Sequence, residues 1–281
     1  MFDTLVLSAS TSRARKGKMT EQTPRSRRLS ARFAPLHRIH IRQVKEMYAI
    51  FKAHYEHTDL ETFMADLSKK DGAILLREPD NGRIVGFSSI VTMPMGERSN
   101  LGAGVFSGDT IVMPEYWGSR ALHFAFMRYI IRQKLRRPAT PLFWLLISKG
   151  YKTYLLMANN FDQYYPHPDN RHPELEPLVQ SYCERLFPGH YDPEARVLDF
   201  GESAQHLRQG VAGITEEMAR EVPKIRFFRD RNPTWDRGTE LPCIALLTYA
   251  CIARAISKWW FQSTTKSLGK MGGRLKALGA R

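Results

Sequence analysis

Cysteine is scarce in this 281-residue chain, which has only Cys183, Cys243 and Cys251 and no Cys-x-x-Cys pair. An odd, scattered set excludes a disulfide framework or a zinc ribbon and suits a reducing, cytosolic setting. No stretch approaches the ~18 consecutive apolar residues that a membrane-spanning helix requires. Gly-x-Ser-x-Gly, His-Glu-x-x-His and Walker A patterns are missing, which removes serine-hydrolase, zincin and P-loop readings. There is no internal repeat. Acidic residues are absent from positions 254–281, where seven Lys/Arg stand alone.

What is present is a globular composition, 43% hydrophobic and 11% aromatic, with a formal net charge of +14. The charge is unevenly placed. Residues 1–45 hold eleven Lys/Arg and two acids, whereas residues 46–253 hold 24 basic and 26 acidic residues. A nearly neutral body with basic ends argues against specific nucleic-acid recognition and for ends that meet an anionic surface or stay solvated.

Hydrophobic periodicity predicts a helix from Ile41 to about His57, and a second from Leu60 to Leu67 capped by Thr58 or Asp59. Strands are expected at Ala73–Arg77 and Arg83–Val91, joined by the turn Pro79-Asp80-Asn81-Gly82. Val105–Met113 reads as a strand, Ser119–Leu135 as a long helix, Leu142–Ile147 as a strand and Tyr151–Met157 as a helix. Further on, helices are expected at Leu175–Leu186 and Leu241–Lys258. The organisation expected is a disordered basic tail over residues 1–38, a core over 39–165, a C-terminal subdomain over 166–260 and a basic amphipathic tail over 261–281.

This order of elements resembles the GNAT N-acyltransferase superfamily. The segments Asn81-Gly82-Arg83-Ile84-Val85-Gly86-Phe87 and Ile111-Val112-Met113-Pro114-Glu115-Tyr116-Trp117-Gly118 carry the resemblance, as do their spacing and Asn160-Phe161 after the last core helix. It spans about 120 residues of the chain. The resemblance implies an α+β fold, a mixed sheet flanked by helices, here with a mainly helical C-terminal extension. It also implies transfer of an acyl group to the amine of a small acceptor, an amino acid or lipid precursor. The donor would be acyl-CoA or an acyl-phosphopantetheine on acyl carrier protein, as in N-acyl amino acid and acyl-homoserine lactone synthases. The glycine-rich donor loop of the superfamily is reduced here to Gly118, with Arg120 in place of a later glycine.

A glycine turn opening a helix aims backbone N–H groups at an anion, so Val112, Trp117, Gly118, Ser119 and Arg120 are the donor-binding candidates. Asp109 is the candidate general base: a lone carboxylate in an apolar strand must meet water, a partner or a cleft. The resemblance points to the same strand for the base. It also places His54 near the acceptor site and suggests Tyr154 as an acid for the leaving thiolate. His54 and His57 share a spacing that suits a metal, but no third ligand accompanies them, so no metal is expected.

Trp259-Trp260-Phe261 beside Lys258, Lys266 and Lys270 suits a membrane interface. The location expected is cytoplasmic, with the tail peripheral on the inner membrane face. The rival reading is a non-catalytic, membrane-associated protein that retains the fold.

Overall fold

The computed structural model describes residues 29–55, 58–96, 101–201, 213–255 and 257. The chain enters as strand β1 (Ser30–Pro35), then forms helices α1 (Ile41–His54) and α2 (Leu60–Ser68). Strands β2 (Gly72–Arg77), β3 (Ile84–Met95) and β4 (Gly102–Val112) follow as an antiparallel run. Helix α3 (Ala121–Arg136) crosses over to β5 (Leu142–Ser148), which runs parallel to β4. After α4 (Tyr151–Ala158) come β6 (Tyr164–Tyr165), α5 (Glu176–Leu186), β7 (Tyr191–Asp192), β8 (Val197–Asp199), α6 (Glu216–Glu221), α7 (Pro223–Arg231) and β9 (Thr239–Leu246).

The main sheet runs β1-β2-β3-β4-β5-β9-β8-β7, with β6 also on β9. Its central strands are buried on both faces, which is why they read as unbroken apolar runs. In β2, Ala73 and Leu75 join Phe51 of α1 and Phe63 of α2, whereas Ile74 and Leu76 join Phe126 and Ile130 of α3. In β5, Trp144 and Leu146 lie on the α3 side, and Phe143 and Leu145 meet Val179 and Cys183 of α5. The α+β arrangement of a mixed sheet flanked by helices is therefore present.

Two expectations are corrected. The tail assigned to residues 1–38 ends earlier, because Ser30–Pro35 pairs antiparallel with β2. Ala31 and Phe33 pack against the core, and sheet pairing offsets an ordering cost that these six residues could not meet alone. The helix expected over Leu241–Lys258 begins only at residue 249, since Thr239–Leu246 is a strand beside β5. Short apolar runs do not separate strand from helix by periodicity. Through β9, the region expected as a separate subdomain supplies an inner strand of the same sheet. The expected tail over 261–281 and His57 lie outside the described residues.

Candidate active site

β4 and β5 pair from Ala103↔Leu142 to Phe106↔Leu145, and there the shared ladder stops. Beyond that rung β4 stays bound to β3 as far as Val112, and β5 stays bound to β9 as far as Ser148. Each strand follows its outer neighbour, and a wedge opens between them. Trp144 marks the fork, its indole N–H donating to Ser107 Oγ at 2.9 Å. A wedge inside a sheet exposes strand edges whose backbone donors and acceptors need partners.

β4 is bulged inside this wedge. Thr110 faces Ser88 but Ser107 faces Ile90, so three steps on β4 oppose two on β3. Gly108 fits the bulge because a Cβ there would sit 2.5 Å from the buried Ser89 hydroxyl. A bulge turns the next side chain out of the strand's normal alternation, and that side chain is Asp109.

Asp109 keeps some solvent contact, yet the protein around its carboxyl raises its pKa, with burial the leading cause. Lys70 and Lys149 draw it back down, and Asp66 pushes it further up. Glu240 at the start of β9 is 5% exposed and also has a raised pKa, again through burial, opposed by Lys149 and reinforced by Asp109. Lys149 Nζ lies 3.2 Å from Glu240 Oε1 and 5.0 Å from the centre of the Tyr55 ring. Burial, followed by the charges of Asp109 and Glu240, holds the Tyr55 hydroxyl firmly protonated. The ends of α1, β4, β5 and β9 thus bring Tyr55, Asp109, Lys149 and Glu240 together.

Three of these four escaped the sequence reading. Glu240 carries the same signal as Asp109, an acid bordering an apolar strand, but that strand was read as a helix starting one residue later, at Leu241. Lys149 and Tyr55 carry no local signal at all.

Tyr154 and His54 have hydrogen-bond partners of their own. Tyr154 is fully buried, packs near Phe227 and Phe228, and its hydroxyl donates to the Pro166 carbonyl at 3.1 Å. Its hydroxyl proton is therefore engaged by a backbone carbonyl. His54 Nδ1 lies 2.8 Å from the Ile50 carbonyl one turn back on its own helix. Among the described residues no group of three His, Cys, Asp or Glu could hold a metal ion.

The expected donor turn follows β4 directly. Residues Pro114–Tyr116 form a single 3-10 turn, and Gly118 adopts φ +94°, a conformation that favours glycine. Ser119 Oγ lies 3.3 Å from the Ala121 amide, and the first turn of α3 presents its amides beside Arg120. Trp117 is turned back onto the strand, its indole donating to the Val112 carbonyl at 2.8 Å. Two residues expected to touch a donor therefore bind one another. The Arg120 guanidinium sits 5.1 Å from the centre of the Phe124 ring.

Tyr116 anchors this turn to the β2–β3 hairpin. Its hydroxyl donates to Glu78 Oε1 at 2.5 Å, while Glu78 Oε2 accepts from Asn81 at 2.9 Å and Arg83 at 3.3 Å. These donors lower the Glu78 pKa from 4.5 to about 2, the Tyr116 bond first among them. A depressed folded-state pKa contributes stability above the unfolded value, and that contribution fades as pH falls from 4.5 toward 2. Glu78→Gln is expected to lower the melting temperature at pH 7, with the gap from wild type closing below pH 4.5. Thermal unfolding followed by circular dichroism across pH 2.5–7 checks this.

No family model and no curated protein matches the chain. Among solved structures, it is similar to a probable N-acyltransferase of Enterococcus faecalis, at 15% identity and a TM-score of 0.36. That match covers 48% of this chain and 33% of the Enterococcus protein, so it spans a third of that protein's length. A Trypanosoma brucei acetyltransferase is similar at 18% identity and a TM-score of 0.33, over 46% of this chain and 89% of its own. A GNAT-family N-acetyltransferase of Escherichia coli, solved with CoA, is similar at 13% identity and a TM-score of 0.34, over 50% and 71%.

Proposed function

We propose that the chain is an N-acyltransferase that moves an acyl group from a phosphopantetheine thioester to the amine of a small acceptor. The observation that carries this reading is the wedge between β4 and β5, with a bulge-borne, desolvated Asp109 inside it. An extended pantetheine arm has amides that suit bare strand edges. The Gly118 turn and the N-terminus of α3 follow directly from β4 and suit its phosphates.

In this mechanism the acceptor nitrogen attacks the thioester carbonyl, the C–N bond forms and the C–S bond breaks. Asp109 takes the amine proton, and that proton leaves with sulfur as the thiol. A carboxyl raised above its usual range is closer to working pH and is a better base for it. Tyr55 replaces Tyr154 in the assignment. Its hydroxyl stays protonated and serves as a hydrogen-bond donor to the developing oxyanion or to the leaving sulfur. Lys149 holds Glu240 and limits the rise of the Asp109 pKa.

Acyl-CoA is the donor we favour, and acyl carrier protein presents the same phosphopantetheine. The acceptor class, an amino acid or lipid precursor, and a membrane contact through residues 261–281 belong to the same proposal. No described helix is long and apolar enough to cross a membrane.

The test compares metabolite and lipid extracts, by mass spectrometry, from cells expressing wild type or Asp109→Asn. Cells supply both donors. An acylated amine present only with wild type supports the transferase and reveals acyl length and acceptor. Identical extracts from two folded proteins favour the non-catalytic, membrane-associated reading instead.

A further inference from the structure

A groove of about 720 Å³ runs between α3 and β1. Arg128, Arg132 and Arg136 line it from the helix, and Arg32 and Arg38 line it from the β1 side. All five are exposed, and none forms an ion pair with a described carboxylate. Arg128 donates to the Ala31 carbonyl at 3.3 Å, which spans the groove from one wall to the other. Asp71 lies near Tyr129, but its Oδ2 accepts the Thr92 amide at 2.7 Å. The floor includes Phe33 and Tyr129, whose ring centres are 4.7 Å apart.

Such an arrangement is costly without a counter-charge. Residues 46–253 are nearly neutral, yet here guanidinium groups gather with no acid among the lining residues. The three helical arginines recur at i, i+4 and i+8, so they share one face at intervals of about 6 Å. That is a row of cations suited to a row of anions. The cations are all arginine, whose planar fork matches phosphate oxygens in pairs. The surface is concave, so a strand can lie in it where a flat bilayer would touch only the rim. Half-buried aromatic rings at the floor offer faces on which bases stack without regard to sequence.

We infer that this groove binds the phosphodiester backbone of single-stranded nucleic acid, without sequence preference. The inference stands outside the β4–β5 wedge and does not depend on acyl transfer.

The test is fluorescence anisotropy of the full chain with fluorescein-labelled 20-nucleotide oligouridylate and oligothymidylate, at 50–300 mM KCl. Five phosphate contacts give a slope of log K against log salt of about −3.5. Arg128→Glu with Arg132→Glu is expected to weaken binding at least about tenfold at 50 mM KCl and to bring the slope toward about −2. Arg220→Glu with Arg226→Glu applies the same charge change outside the groove and is expected to stay within about threefold of wild type. Circular dichroism checks folding, and Gln at positions 128 and 132 replaces Glu if the reversal unfolds the chain. Absence of oligonucleotide binding overturns the inference. So does an equal loss in both double variants, which reports net charge alone. Unchanged binding in the groove variant assigns the contact to the N-terminal segment and overturns it too. Groove-dependent binding to phosphatidylserine vesicles without oligonucleotide binding would identify a lipid surface instead.

Discussion

Asp109→Asn is expected to lower kcat for acyl transfer by about 10²–10⁴, the usual contribution of a positioned general base. The substitution preserves shape and removes only the capacity to take a proton. It also relieves the cost of a desolvated carboxyl, since burial is the main cause of its raised pKa, so the fold is expected to be retained or slightly stabilised. The pH profile separates a base from a merely structural acid. Wild-type kcat/KM should climb as pH rises through the raised pKa of Asp109, because only the carboxylate accepts the proton. In the variant that limb should disappear, while donor affinity stays unchanged. Measured on the acylated amine found in the extracts, full turnover by a folded Asp109→Asn protein would remove the carboxylate from the chemistry.

Local signals made much of the α1–α4 region legible. The turn Pro79-Asp80-Asn81-Gly82, the helical spacing of Val44, Met47 and Phe51, and the short apolar run of β2 each act over a few residues. What the sequence concealed depends on partners distant along the chain. β1 is short and follows a Ser/Arg-rich run, so it passes for tail, and it is a strand only because β2 offers an edge. β9 is apolar from Leu241 to Leu246 because core packs on both of its faces, and that uniformity erased its period of two.

The candidate site divides in the same way. Asp109 stood out because an acid in an apolar strand violates a local rule. Tyr55 and Lys149 violate none, and their meaning comes from the fork that brings the ends of α1 and β5 to β4. The burial of Tyr154 and the bond from its hydroxyl to the Pro166 carbonyl were likewise invisible locally, because Pro166 and Phe228 lie beyond its own helix. A resemblance in element order locates strands, but it does not say which aromatic side chains face the wedge.

Gly118→Glu is expected to weaken CoA binding at least about thirtyfold, and its comparison with Gly118→Ala isolates the cause. Gly118 holds φ +94°, and no atom lies within 4 Å of where a Cβ would stand. Either side chain therefore meets backbone strain of about 1–2 kcal/mol and no clash. Glutamate recovers part of this, because a carboxylate near the N-terminus of α3 is favoured by the helix dipole. The same charge opposes any phosphate that would use those amides, through direct repulsion and by occupying the cradle. Fold and donor binding are thus driven in opposite directions by one substitution. Isothermal titration with CoA should show near-normal affinity for Gly118→Ala and a large loss for Gly118→Glu, at similar melting temperatures. Equal affinity in both variants would place the donor phosphates away from this turn. Loss in both would make the left-handed backbone itself, and not the charge, the requirement.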